Sequence, residues 1–408
     1  METTTQKHKN QANGIMRQKC PVCDNSEMRI FFEIESVPVF CNVLWDSRAE
    51  ALAAPLAQIC LAYCHKCGLI YNVAFDRTLM DYSPAYENSL HFSQRFRQWA
   101  EETADRLVKR YQLHEKDIVE IGCGQGDFLA ILQRLGKNRV LGFDPSYDSK
   151  KTADGAEKPA MVIIPEAYSE AHNSYPADFI CCRHVLEHID RPLDFLKGIR
   201  KTIGQRKECI VYFEVPNALY SIESMGLWDI IYEHCSYFTS ESLANLFLRA
   251  DFEPIEVAER YGGQFLTIEA RPGRCNANAT MDRGWIVPNI KQLIDGFQNT
   301  YKEKVQSWRH TLSDLGKQES RTVIWGAGSK GVTFVNALGI SHQHIEYIVD
   351  VNPRKYGKFV PGMGQRIVAP DLLKEYRPGT TIIMNPIYRS EIQEAVREFG
   401  LETRLLFG

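Results

Sequence analysis

The sequence has neither a long apolar run nor an excess of charge of either sign. No stretch approaches the roughly 18 apolar residues that a membrane-spanning helix needs, so no membrane partner is expected. The polar segment Met1 to Gln18 lacks the apolar centre of a secretory signal, and a disordered lead-in to a cytoplasmic protein is expected there. With 48 basic and 51 acidic side chains the net charge is −3, too weak a field to gather nucleic acid or an anionic surface. What remains is a chain of 44% hydrophobic and 24% charged residues, the balance expected of a soluble globular protein. Its 408 residues exceed one ordinary core and imply two or three domains.

Cysteine, by contrast, is plentiful: there are 12. In a chain of this size without an export signal, paired thiols are more often metal ligands than disulfides. Cys20-x-x-Cys23 and Cys64-x-x-Cys67 are two knuckles, each presenting two thiolates from a tight turn to one side of a tetrahedral zinc ion. Four thiolates fill that ion's coordination, so the zinc is expected to be structural; the plain alternative is reduced, metal-free thiols. The interval of residues 24–63 is wide for a small zinc ribbon, and a subdomain over residues 19–80 is expected to fill it, with a strand at Met28 to Glu35. Cys41 and Cys60 stand alone and read as small buried residues.

The chain is organised around Asp117-Ile-Val-Glu120-Ile-Gly122-Cys-Gly124-Gln-Gly126-Asp127. A β-branched strand runs into a glycine turn that lets a ligand approach the backbone, and the next strand, from Val140, closes on Asp144. At the carboxyl edge of a parallel sheet, an acid so placed accepts from ribose hydroxyls while the turn and helix N-terminus hold the rest of a nucleoside. Glu120, Gly122, Gly124, Gly126 and Asp144 are therefore candidate cofactor residues.

Around this corner the sequence alternates strand and helix, as a doubly wound α/β sheet requires. Before it lies the aromatic stretch from Asp81 to Phe92, whose tyrosines read either as packing at the domain junction or as a lid or substrate wall with Tyr86 its candidate, and an amphipathic helix covering about Phe92 to Tyr111. After it, Asp178 to Ile189 reads as a central strand ending in polar residues that face the ligands, with His184 on the cofactor side and His188 in the substrate pocket. The strand from Cys209 closes on Asn217, a further edge residue. Trp228 to Thr239 holds Glu233-His234 among aromatics, Tyr237 included, a setting that can keep an imidazole near neutral pKa in a partly dry site and let it remove a proton from carbon. Tyr261 to Glu269 is a glycine-led strand expected to complete the sheet with antiparallel character.

A helical, polar bridge over residues 271–321 leads to a second nucleotide signature in residues 322–408. Thr322-Val-Ile-Trp-Gly326-Ala-Gly328-Ser-Lys330-Gly331 fits G-x-G-x-x-G after a strand, and the next strand closes on Asp350. So little chain follows that a Rossmann-like half-fold holding a single phosphate-bearing nucleotide suits it better than a full nicotinamide dinucleotide site.

The central motif, an acid and a branched residue before Gly-x-Gly-x-Gly, resembles that of class I S-adenosylmethionine-dependent methyltransferases, and His184-Val-Leu-Glu187-His188 is similar to the run after their fourth strand. Over nearly its whole length, the chain resembles the sugar C-methyltransferases of antibiotic deoxysugar pathways. The resemblance rests on the two Cys-x-x-Cys knuckles, the central motif over residues 81–270, and Gly326-Ala-x-x-Lys330-Gly331 with Asp350-x-Asn352-Pro-x-Lys355-x-Gly357. It implies a structural zinc, S-adenosylmethionine in the central domain, and a C-terminal domain whose Gly328, Lys330, Asp350, Asn352 and Lys355 help hold the nucleotide diphosphate of a 4-keto sugar. It also implies that His234, oriented by Glu233, takes a proton from carbon to give an enolate, with Tyr86 or His188 donating to the oxyanion and Asn217 and Tyr237 lining the acceptor. The family usually has Tyr-x-Glu-His where this sequence has Ile231, and Trp-Asn-Tyr where this one reads Met384-Asn-Pro-Ile-Tyr388. The rival readings are methyl transfer to a non-sugar carbon, oxygen or nitrogen, a nicotinamide-dependent reductase, and a zinc-knuckle scaffold without activity.

Overall fold

The computed structural model describes residues 16–81, 85–150, 161–172, 174–223, 226–273, 285, 287–318 and 320–408. Most of the expected lead-in, residues 1–15, and the Tyr82-Ser83-Pro84 part of the expected lid lie outside these residues.

The strand Asp117–Ile121 is buried from its second residue onward and sits at the middle of a seven-stranded sheet. To one side lie Arg139–Phe143 and Val162–Ile164, to the other Phe179–Arg183 and Ile210–Pro216, all parallel. The sheet then reverses: Phe265–Pro272 runs antiparallel to Ile210–Pro216, and Phe252–Arg260 antiparallel to that. Gly262 and Gly263 (φ +65° and +83°) make the hairpin turn that this reversal needs. The helix Gln94–Tyr111 is capped by the Ser93 hydroxyl. It lays Ala100, Ala104, Leu107 and Val108 onto one face of the sheet, against Ile118, Phe179 and Tyr212. One expected strand stops early: residues 184–189 leave the sheet because His184 takes a left-handed φ of +55°.

The C-terminal segment forms a second, five-stranded parallel sheet in the order Arg366–Val368, Tyr347–Val349, Thr322–Trp325, Thr380–Ile383, Arg404–Phe407. Short strands and short connections let so few residues complete it. The helix Ile290–Lys317 bridges the ends of the molecule: Phe297 and Tyr301 meet Phe32 edge to face at 5.0 and 4.8 Å, and Trp308 meets Phe334 at 5.0 Å.

The N-terminal sheet decides where the site loop lies. Met28–Pro38, Leu56–Cys64 and Ile70–Asn72 form an antiparallel meander. Its fourth strand, Ser236–Tyr237, comes from far along the chain and follows directly on Glu233-His234. The Tyr237 hydroxyl accepts from the Ile231 amide (3.2 Å) and donates to the Ile231 carbonyl (3.0 Å), pinning the loop across its base. At the other end of the meander Cys20 and Cys67 sulfurs stand 3.5 Å apart and Cys23 and Cys64 sulfurs 3.4 Å apart. All four lie within 4.8 Å of one another, and none forms a disulfide.

Tyr237→Phe strands the buried Ile231 amide and leaves the Ile231 carbonyl with the His234 amide alone. A stability loss of about 1–3 kcal/mol is expected in denaturant unfolding; an unchanged midpoint would remove the clamp role.

Candidate active site

The carboxyl ends of both parallel sheets open into one cleft of about 890 Å³. Its walls include Glu120 to Gln125, Asp144, His184, Glu187, His188, Ile231 and His234 from the central part of the chain, Tyr86 from the preceding segment, and Gly328, Lys330, Asp350 and Lys355 from the C-terminal sheet.

The two glycine corners are built alike. Gly122 donates to the Phe143 carbonyl (2.7 Å) and Gly124 to the Asp144 carboxylate (2.7 Å); Gly326 donates to the Val349 carbonyl (2.7 Å) and Ala327 to the Asp350 carboxylate (2.8 Å). Each corner is followed by a helix, Asp127–Gly136 or Ser329–Leu338, whose glycine cap supplies no side-chain bond and leaves first-turn amides for an anion or ligand. The corners differ in charge. Lys355, buried, stands 3.7 Å from Asp350 and donates to the Ala327 carbonyl, so the acid that would take ribose hydroxyls in a dinucleotide fold is already neutralised.

At the first corner, a side chain on Gly122 would come within 2.0 Å of Val185, whereas Gly124 (φ +55°) faces open space. Glu120 is buried, and its Oε2 has no hydrogen-bond partner. Burial pushes its carboxyl up to about 8 against the pull of Arg183. Open backbone at Gly124, Asp144 beyond it and an unsatisfied buried acceptor make a cradle that fits a nucleoside carrying a cationic tail.

Across the cleft, two imidazoles meet with ring centres 4.9 Å apart. His188 Nδ1 lies 3.0 Å from the Glu233 carbonyl, which can only accept, so that nitrogen carries the proton and Nε2 the lone pair. His234 bonds the Asp229 carbonyl and its Nδ1 is without a partner. Burial, then the neighbouring His188, His184 and Lys330, holds His234 well below its ordinary value, so it is neutral. Burial lowers His188 as well. His184 goes the other way: burial opposes its charge, but the Glu187 and Glu214 carboxylates prevail and push it up to about 9.

Several expected roles change. The Glu233 carboxylate, expected to orient His234, instead takes the Cys41 amide (2.9 Å) and the Tyr86 hydroxyl; its link to the imidazoles runs through its backbone carbonyl. Asn217, Tyr237 and Asn352 are outside the cleft wall. Asn217 caps the helix Ala218–Ile222 and donates to Gly263. Asn352 donates to Glu87 (3.1 Å), fastening the aromatic segment to the C-terminal sheet. Lys330 pairs with Asp229, whose carbonyl holds His234, so it reaches the imidazole loop as well as the cleft. Small polar side chains like these read as ligand contacts in sequence but are drawn off by backbone groups nearby. Nothing in the local pattern points to the reciprocal Gln264–Asn385 amide pair (2.9 Å each way), because 121 positions separate its members.

The comparisons with known proteins bear on this geometry. A family described as a methyltransferase domain matches residues 91–257, and a family described as a C-methyltransferase C-terminal domain matches residues 289–404. The protein is an S-adenosylmethionine-dependent methyltransferase. The enzyme has the class I Rossmann-like α/β fold and is related to the C-methyltransferase NovU of Streptomyces niveus, at 23% identity over 93% of this chain and 92% of that one. A tRNA U34 carboxymethyltransferase of Sulfurimonas denitrificans is 28% identical over 38% of the methyltransferase chain and 54% of its own. Among solved structures, the plantazolicin methyltransferase BpumL with S-adenosylhomocysteine is 18% identical over 45% of this chain and 87% of that one, with a TM-score of 0.36. No helix among the described residues is long and apolar enough to cross a membrane.

The two glycines give a paired test. Gly122→Ala combines a clash with left-handed backbone and should cost more than about 2 kcal/mol of stability. Gly124→Ala carries only the backbone strain, about 1–2 kcal/mol, and should act mainly by weakening donor binding. Thermal unfolding and donor titration by calorimetry read both; equal stability losses would contradict the assignment of the open side.

Proposed function

We propose that the enzyme transfers a methyl group to a carbon made acidic by an adjacent carbonyl, in a nucleotide-linked 4-keto sugar. The observation carrying this reading is the cleft in which a nucleoside cradle, a pair of neutral, partly buried imidazoles and a second nucleotide corner face one another. When bound, S-adenosylmethionine supplies an electrophilic methyl group; Glu120 would meet its ammonium, Asp144 its ribose, and Gly122, Gly124 and Gly126 its backbone-facing side. The first-turn amides after Gly328, with Lys330 close by, suit the diphosphate of the acceptor.

In this reading His234, through the unpartnered Nδ1, removes the proton from the acceptor carbon. The developing oxyanion needs a donor. His188 gives its proton to the Glu233 carbonyl and Tyr86 its own to the Glu233 carboxylate, so Tyr86 serves the oxyanion only by turning its hydroxyl away from Glu233. Holding two large ligands with their reacting atoms aligned is the rest of the rate enhancement. Ile231 gives the wall an aliphatic surface, which favours an acceptor carrying no polar group on that side. The four cysteines would hold a structural zinc that stiffens the sheet carrying residues 236–237.

His234→Asn is expected to abolish turnover of labelled methyl onto a panel of 4-keto sugar nucleotides while donor affinity stays within about twofold. Turnover retained by the variant would take the base role from His234, and wild-type enzyme silent on the whole panel but active on another acceptor would overturn the sugar reading.

Proton linkage gives a second test. Glu120 titrates at about 8 in the ligand-free site, because burial favours its neutral form. A bound ammonium favours the carboxylate, so donor binding at pH 7 should release a proton, and affinity should rise with pH towards about 8 and then level off. Calorimetry in buffers of different ionisation enthalpy measures the release; none at pH 7 would separate Glu120 from the donor.

Elemental analysis of the wild-type protein is expected to give one zinc, which Cys23→Ser should lose together with a lower unfolding temperature. Wild-type protein purified without zinc would leave the thiols as a metal-free cluster.

A further inference from the structure

Glu187 has no role in the mechanism above, yet its surroundings are unusual. It is 1% exposed, it lines the cleft, and neither carboxylate oxygen has a hydrogen-bond partner. His184 Nδ1 lies 3.7 Å away, an ion-pair contact too long for a hydrogen bond, and His188 Nε2 4.0 Å away, so the carboxylate has charge beside it but keeps unfilled acceptor positions.

The neighbouring imidazoles are set as metal ligands usually are. His188 gives its Nδ1 proton to the Glu233 carbonyl and turns the Nε2 lone pair inward; His234 is fixed by the Asp229 carbonyl and keeps Nδ1 unpartnered. One donor atom from each of Glu187, His188 and His234 lies within 4.8 Å of the other two. Their loops are tied together, since the Cys235 amide donates to the Glu187 carbonyl at 2.9 Å. All three residues border the cleft, so an ion held between them would keep positions open towards a ligand.

We infer that Glu187, His188 and His234 form a site for one divalent transition-metal cation at the acceptor end of the cleft, separate from the four-cysteine cluster. Two imidazoles and one carboxylate suit manganese, iron, cobalt or zinc; magnesium and calcium prefer oxygen throughout. The carboxylate offsets part of the ion's charge, while His184, paired with Glu187 and Glu214, and Lys330, whose charge acts on His234, oppose it. An ion here takes the His234 lone pair, so proton removal by His234 belongs to the ion-free enzyme. Binding itself is independent of the methyl-transfer reading, because it needs neither donor nor acceptor.

The test is cobalt(II) titration of the full-length protein as purified, followed by absorbance and by elemental analysis after desalting. Cobalt at this site gives weak visible bands without the strong near-ultraviolet thiolate band that the cysteine cluster would give. The wild type should take up one equivalent of the weak-band kind. Glu187→Gln and His234→Asn should each weaken that uptake about tenfold or more, while Cys23→Ser should keep it; far-ultraviolet circular dichroism checks that each variant is folded. A wild type showing thiolate bands alone, or weak bands undiminished in folded Glu187→Gln and His234→Asn, would overturn the site.

Discussion

The pairing of Ser236–Tyr237 with Ile70–Tyr71 is the contact on which the cleft depends. It makes a two-residue piece of the central chain the fourth strand of the N-terminal sheet, and so fixes the segment just before it. Beyond the strand the ladder continues: Asn72 donates to the Cys235 carbonyl (3.0 Å), and Cys235 donates to the Glu187 carbonyl (2.9 Å). A single hydrogen-bonded path therefore runs from the cysteine end of the N-terminal sheet to the histidines in the cleft. Two residues of strand would not hold by themselves; they hold because Trp228, Ile230, Ile231 and Tyr232 are buried in the core shared with Phe32, Ile59 and Phe334.

The cleft brings together two sheets that solve the same problem with the same parts. In each, a strand ends in a glycine turn whose amides donate to the carbonyl and the carboxylate at the end of the neighbouring strand. What separates them is the local charge. Asp144 is bonded by the Gly124 and Ser146 amides and the Ser146 hydroxyl, while Asp350 is also paired with a buried lysine. A corner carrying an uncompensated acid suits hydroxyl groups; one carrying Lys355 and a bare helix start suits an anion.

Burial sets the chemistry of the histidines more than their order in the chain does. His184, His188 and His234 are all partly buried, yet one is held charged between two carboxylates and two are held neutral by desolvation. The left-handed backbone at His184 turns the chain out of the sheet at that point and sends Glu187 and His188 into the cleft.

The amino-acid order by itself determined the local units. Strand and helix periodicity, the glycine corners with their closing acids and the paired cysteine knuckles depend on neighbours a few positions apart. Only the folded chain decided which polar side chains reach ligand space. Asn217, Tyr237 and Asn352 find backbone or side-chain partners from distant segments, and the Glu233 carboxylate goes to Cys41 and Tyr86 rather than to His234. The Glu187 carboxylate is left with an ion-pair neighbour in His184 but no hydrogen bond for the same reason. A hydrogen bond is settled by whichever donor and acceptor the tertiary packing brings within about 3 Å, and that distance is not encoded in local spacing.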